Sequence, residues 1–238
     1  MEYNEAALQK VREDRLLIDE VDTWLYEEIT PYLGSRMLEV GCGMGNFVEY
    51  LKDREFYMGT DVSVYSVTHI QEIYRGFPNV QARVVDVVDD AFRKLVEFKF
   101  DTVFSLNVFE HVADDLRALK NAFHVLQPGG KIIIVVPAHA WLYGTIDCSI
   151  GHYRRYGKND IEQLFAKTGF ALLKLKYINA LGALGWLVSG RVLHNTTPPS
   201  GQLRLFNRLV PLLKAVERKI PVPFGISLLT VAKKPDGG

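Results

Sequence analysis

The sequence predicts an α/β fold: a mostly parallel sheet with helices on both faces, a final antiparallel strand, and a helical insert between the last two strands. Three observations carry this. Apolar runs of strand length alternate with helical segments through the first half of the chain. The connections between them are short. Beyond residue 137 the alternation gives way to an irregular loop and then to a long insert flanked by two more strand-like runs. Alternating strands and helices with short connections form βαβ units, whose right-handed crossovers make the strands parallel and cover both faces.

Each element has its own signal. Leu8, Val11, Leu16, Ile18, Val21, Leu25 and Ile29 recur at helical spacing, so 4–29 reads as a helix ended by Pro31 and Gly34. Strand-like runs follow at 36–41, 55–60, 80–85, 101–107 and 131–136, with helical segments near 45–53, 64–75, 90–97 and 114–126. The last helix closes on Leu126-Gln127-Pro128-Gly129-Gly130, a stop and turn. Residues 137–157 read as a polar, aromatic loop and 159–168 as a helix ended by Gly169. Strands at 170–178 and 225–233 bring the total to seven. The 46 residues between them are too many for a hairpin loop. They hold an apolar run at 180–190, a turn-rich stretch at 195–201 and a helix at 203–219. The organisation expected is an N-terminal helical cap (1–34), a main domain (35–178 and 223–238) and a helical lid (179–222).

Composition narrows the function. The 28 basic and 28 acidic residues balance, which argues against a nucleic-acid partner, because phosphate contacts leave a domain basic. The balance conceals a split: from Lys167 onward there are 11 basic residues and two acidic ones, Glu217 and Asp236, so this part carries nine surplus positive charges and 1–166 the compensating negative ones. Cys42 and Cys148 stand in no metal-ligand spacing, and no metal site is expected; they read as free thiols in a reducing compartment. The N-terminus is charged from its second residue and shows no secretory h-region, and no stretch reaches the ~20 apolar residues that span a bilayer. A cytoplasmic location is expected.

The strongest local signal is Glu39-Val40-Gly41-Cys42-Gly43-Met44-Gly45-Asn46, a glycine-rich turn between a strand and a helix. Such a turn lets a ligand approach the backbone at the carboxyl edge of a parallel sheet. Dinucleotide-binding turns space their glycines as G-x-G-x-x-G; here the spacing is G-x-G-x-G with Glu39 ahead of it. Asp61, followed by Val62, ends the second strand, and an acid there can accept ribose hydroxyls. Asp86, followed by Val87, ends the third. The fourth runs from Asp101 to Asn107 and on to Glu110-His111, and the fifth opens on Gln127-Pro128-Gly129-Gly130-Lys131.

These five segments, in this order, resemble the motifs of class I S-adenosylmethionine-dependent methyltransferases, of the ubiquinone/menaquinone type. The resemblance covers residues 36–137. It implies a Rossmann-like sheet of seven strands and S-adenosyl-L-methionine as cofactor, held by Glu39, Gly41, Cys42, Gly43, Gly45, Asn46, Asp61, Val62, Asp86, Val87 and Asn107. In that family Glu39 would orient the amino-acid end, Asp61 the ribose, and Asp86 with Val87 the adenine. The implied reaction is O- or N-methylation of a small-molecule or lipid- or glycan-linked acceptor. Two other readings stay open: a nicotinamide-dependent oxidoreductase on a related sheet, against which the glycine spacing and Asp86 speak, and a catalytically silent cofactor-binding scaffold.

His111, just beyond the fourth strand, is a candidate base, since imidazole titrates near neutrality; the alternative is a structural histidine. In the loop 137–157, His152 and Tyr143 are the further catalytic candidates. His139, Arg154, Arg155 and Tyr156 are the substrate-side candidates. Guanidinium groups there would suit a carboxylate or phosphate, unless Arg155 and Tyr156 anchor the loop internally. The helix 203–219 groups Leu203, Leu205, Phe206, Leu209, Val210, Leu212, Leu213 and Val216 against Arg204, Arg208, Lys214, Arg218 and Lys219. Pro211 is expected on its polar side as a kink. A basic amphipathic helix beside an apolar run can cover a core or lie on an anionic membrane; 180–219 is read as a lid, with peripheral contact to the inner membrane face left open as a second role.

Overall fold

The structure is a computed structural model in which residues 19–197, 200–220 and 222–237 are described. The first part of the helix expected over 4–29 lies outside the described residues; the remainder is α1 (Asp19–Ile29). Seven strands follow: β1 (Arg36–Val40), β2 (Phe56–Asp61), β3 (Val80–Val84), β4 (Phe100–Leu106), β5 (Leu126–Pro137), β6 (Ala171–Ile178) and β7 (Ser227–Lys233). They form one sheet in the order β3-β2-β1-β4-β5-β7-β6. The pairs among β1 to β5 are parallel, and β7 runs antiparallel between β5 and β6. The order reverses between β1 and β4, and ligands of open α/β sheets bind in the crevice at such a reversal.

The strands are apolar on both faces because helices cover both. Along β5, Ile132 and Ile134 join one core with Leu38, Val103 and the helix α5 (Asp115–Val125). Ile133 and Val135 point the other way, into a second core with Met37, Phe104, Leu25 and Ile29. This is the period-two alternation of a strand used twice. The remaining helices are short: α2 (Val48–Leu51), α3 (Val64–Ile73), α4 (Asp90–Arg93), α6 (Thr145–Ser149) and α7 (Lys158–Ala166). The stretch expected as a loop at 137–157 therefore contains one helix, α6, and a 3-10 turn at Ala140–Leu142.

The insert consists of α8 (Ala180–Trp186), which runs on into a π-helical stretch at Leu187–Val192, and α9 (Ser200–Lys219). Asn179 caps α8 through Oδ1, which accepts the Gly182 N–H at 2.8 Å. The buried Glu217 carboxylate accepts the N–H groups of Asn179 and Ala180 at 2.9 and 2.8 Å. It satisfies free donors at that helix start and ties α9 to α8. On its other side α9 packs on α1: Lys214 and Arg218 both reach Glu27, at 2.8 and 2.7 Å, and Lys176 of β6 pairs with Glu28 at 2.8 Å. Part of the charge split in the sequence is thus an internal match between a basic insert and an acidic N-terminal helix.

Two expectations for α9 are corrected. Its apolar residues do not share one face. Val210 is buried and Leu203, Phe206 and Leu213 are half-buried, whereas Leu205, Leu209, Leu212 and Val216 are 61%, 37%, 65% and 48% exposed. Eight apolar side chains at 3.6 residues per turn span too wide an arc for one packed stripe, so the helix carries an inner and an outer one. Nor is the basic set a single free face, since Lys214 and Arg218 are tied to Glu27. Helix α9 continues through Pro211 as one element, with that proline exposed.

Candidate active site

The glycine turn hangs from the end of β1. The N–H groups of Gly41 and Cys42 donate to the Thr60 carbonyl of β2 at 2.7 and 3.0 Å. Gly41 has φ +75°, and a Cβ there would come within 2.3 Å of Val108, so the turn packs directly against the segment that follows β4. Gly43 has φ +51° and faces open space. The Asp61 carboxylate stands over it: Oδ2 accepts the Gly43 N–H at 2.9 Å and Oδ1 the Ser63 N–H at 2.8 Å. Each oxygen retains a further lone pair for a ligand hydroxyl.

Other residues expected around the cofactor have mixed placements. Val62 is 67% exposed beside Asp61. Asp86 Oδ1 accepts the Val88 N–H at 3.0 Å. Asn107 has φ +56° and anchors the end of β4 by donating its N–H to Val135 at 2.8 Å. Asn46 Nδ2 donates to Asp22 Oδ2 at 3.0 Å and joins the turn to α1. Three side chains turn inward. Glu39 is buried and accepts the Tyr57 hydroxyl, Val87 belongs to the core, and Cys42 is buried against Gly59, so close that a Cβ on that glycine would meet Sγ at 2.8 Å. Burial, then the charges of Glu39 and Asp61, push the Cys42 thiol well above the usual range.

Beyond β4 and β5 lies a cavity of about 510 Å³. Its walls are apolar and come from three helices: Trp24 and Leu25 of α1, Leu181 and Trp186 of α8, Phe206 and Leu209 of α9. The polar groups Asn107, Glu110, His111, His152 and Arg155 form its floor. The buried Asp147 organises this floor. Its Oδ1 pairs with His152 Nδ1 at 2.8 Å and accepts Arg155 Nε at 2.7 Å. Its Oδ2 accepts the Gly144 N–H at 3.0 Å and Trp186 Nε1 at 3.1 Å. Burial by itself would raise the Asp147 pKa, but the His152 bond and the Arg155 charge outweigh it and hold the carboxyl below its usual value. Arg155 also donates to the Ala138 carbonyl at 3.1 Å and stacks 4.8 Å over the Trp186 ring. Burial, then the neighbouring His152, bring His111 down to about 4, against the pull of the Gly151 carbonyl.

The structure gathers His111, His152, Arg155 and Asn107 at one cavity and sends four other candidates elsewhere. The Tyr143 hydroxyl donates to the His152 carbonyl at 2.7 Å, and burial, then Cys148, push it up to about 12. Arg154 reaches Asp115 at 2.7 Å and the Ala113 carbonyl at 2.8 Å. The Tyr156 hydroxyl donates toward Phe109 O and Asp115 Oδ2 at 3.1 and 3.0 Å. His139 stacks on Tyr177 with ring centroids 4.5 Å apart. Among the described residues that line the cavity, none of these four is present; they fasten the loop to its neighbours. Sequence reasoning had assigned no role to Glu110 or Asp147. The signal available was position: Glu110 adjoins His111, and Asp147 lies one helical turn and a tight bend ahead of His152.

The sheet order and the glycine turn at its reversal point are those of a Rossmann-like fold of the methyltransferase type. Comparisons with known proteins agree. A family model described as a methyltransferase domain matches residues 38–132. Over 127 residues the chain is 30% identical to the tRNA U34 carboxymethyltransferase of Geobacter sp. (strain M21), covering 48% of this chain and 39% of that protein. It is 29% identical over 112 residues to the ubiquinone biosynthesis O-methyltransferase of Paracidovorax citrulli, covering 46% of each. A solved SAM-dependent methyltransferase from Archaeoglobus fulgidus has the same fold, with TM-score 0.62 at 17% identity over 91% of this chain and 94% of that one. The chain spans less than half the length of the two curated relatives. Residues 38–132 thus match a methyltransferase domain, a class whose cofactor is S-adenosylmethionine. The residues present fit that molecule: the space over Gly43 is open to a ligand, and the Asp61 carboxylate beside it is fixed with acceptor capacity to spare.

Proposed function

We propose that this protein transfers a methyl group from S-adenosylmethionine to an oxygen or nitrogen of an apolar acceptor, a small molecule or the reactive end of a lipid-linked one. The observation that carries this is the cavity: apolar helical walls over a polar floor, next to the segment against which the glycine turn packs. In this reading Asp61 takes the ribose hydroxyls, the Gly41–Gly45 backbone the methionine portion, and Asp86 the adenine amino group. The cofactor supplies an electrophilic methyl on a sulfonium centre, and the acceptor atom replaces the thioether there. Helices α1, α8 and α9 exclude water from the acceptor, and Asn107 stands where the two sites meet. An oxygen or nitrogen acceptor must also lose a proton, and the floor presents the His152 imidazole as a candidate proton acceptor.

The outer stripe of α9 supports a membrane-delivered acceptor. Leu205 and Leu209 of that stripe also line the cavity, so the cavity opens beside exposed apolar surface. On the helix, Arg204, Arg208 and Lys219, all exposed, run along one edge of the stripe, an arrangement that suits anionic headgroups. The test is transfer of labelled methyl to lipid extracts and to soluble phenols and amines, with release of S-adenosylhomocysteine as the second readout. Transfer that requires cofactor and acceptor is expected. Stabilisation of the protein by NAD and not by S-adenosylhomocysteine would overturn the reading.

A further inference from the structure

At the floor of the cavity, three potential metal ligands converge from two loops. Glu110 and His111 lie in the 3-10 turn Phe109–His111 that follows β4. His152 comes from the stretch after α6. One donor atom from each lies within 4.8 Å of the other two, and His152 Nε2 is 3.7 Å from Glu110 Oε1. Glu110 is 0% exposed and His152 6%. The two imidazoles meet edge to face with centroids 4.7 Å apart. All three residues line the cavity, which provides both an entry path and room for a further ligand.

We propose that Glu110, His111 and His152 bind a divalent transition-type cation such as Zn²⁺, Mn²⁺ or Co²⁺ at the floor of the acceptor cavity. Two imidazoles and one carboxylate leave positions of such an ion open, and all three residues line the acceptor cavity. Metal-binding histidines have their second ring nitrogen fixed by a carboxylate or carbonyl, and His152 meets that requirement. His152 Nδ1 is held by Asp147 at 2.8 Å, which directs Nε2 toward Glu110. Asp147 is in turn fixed by Arg155, Gly144 and Trp186, so the ring it orients is supported well beyond the first contact.

The site stands on its own geometry; its consequence for the reaction rests on the methyl-transfer reading. An ion there would bind the acceptor's oxygen, align it and lower its pKa so that its proton passes to solvent before transfer, His111 and His152 then serving as ligands and not as bases. The acceptor class would then be a phenol, enol or other hydroxyl compound, with a second oxygen nearby for chelation, in place of an amine.

The experiment uses the full, untagged chain, stripped with a chelator and titrated with Co²⁺, Zn²⁺ or Mn²⁺ by calorimetry, with Co²⁺ also followed by visible absorption. One equivalent is expected to bind, with ligand-field bands for Co²⁺ and a raised Tm. Glu110→Gln and His152→Ala should abolish the bands. Asp147→Asn should weaken binding about ten- to a hundredfold through the orientation of His152. Failure of the wild-type chain to bind any of the three ions at millimolar concentration overturns the site, and that result needs no variant to fold. Undiminished binding by folded Glu110→Gln or His152→Ala also overturns it, as does an NMR titration in which His152 stays an imidazolium at pH 7 with metal present. S-adenosylhomocysteine affinity, measured on the same samples, separates the two claims: a bound ion with no cofactor affinity supports the site and removes the methyl-transfer reading.

Discussion

Removing the Asp61 carboxylate tests the cofactor site most directly. In the free protein this group accepts two backbone N–H bonds, from Gly43 at 2.9 Å and Ser63 at 2.8 Å. In the proposed complex its remaining lone pairs accept the ribose hydroxyls. Hydrogen bonds to a charged partner contribute about 1.5–3 kcal/mol each. Loss of the ribose contact alone therefore weakens S-adenosylhomocysteine binding about ten- to a hundredfold. Asp61→Ala also releases Gly43 from its left-handed conformation, whereas Asp61→Asn keeps one acceptor oxygen for a backbone donor. The expected order of affinity is wild type, Asn, Ala, measured by calorimetry on samples whose thermal unfolding has been checked. If folded Asp61→Ala binds with wild-type affinity, the ribose assignment is wrong, and so is the argument from the sheet's reversal point.

Other expectations are simpler to state. Gly41→Ala should destabilise the fold more than Gly43→Ala, because its Cβ meets Val108 at 2.3 Å while that of Gly43 meets only open space; Gly43→Ala should cost about 1–2 kcal/mol for its left-handed φ and still impair cofactor binding, as denaturant melts beside calorimetry will show. Tyr156→Phe removes a buried hydroxyl from Phe109 O and Asp115 and should lower stability by about 1–3 kcal/mol, leaving the KM for acceptor unchanged; a raised KM with unchanged stability would return this residue to the substrate side. Iodoacetamide should alkylate the exposed Cys148 and spare Cys42 across neutral pH, since burial keeps the Cys42 thiol protonated; peptide mass spectrometry reads the result. Leu205→Glu with Leu212→Glu, both at exposed positions, should abolish sedimentation with anionic vesicles at low salt and leave Tm unchanged, and unaltered sedimentation would reject the outer stripe as a membrane surface.

The sequence by itself determined the sheet and the position of the glycine turn in it. Strand-length apolar runs can be buried only when helices cover both faces, and a glycine turn after the first strand has one position in such a sheet. Asp61 was legible for the same reason, as an acid at a strand end beside that turn. What the chain order could not convey was which side chains meet across loops. His152 and Tyr143 are alike as polar residues of one loop, yet one faces the cavity and the other is spent on a carbonyl. Arg154 and Arg155 are neighbours, and the tertiary structure gave one to Asp115 and the other to Asp147. On α9, periodicity revealed an amphipathic helix but not two apolar stripes, because burial of the inner one depends on α1, whose Glu27 also claims Lys214 and Arg218. The meeting of Glu110, His111 and His152 was decided by folding alone: a strand end and a distant loop share no spacing rule, and only the packing of that loop over the sheet edge brings their donor atoms together.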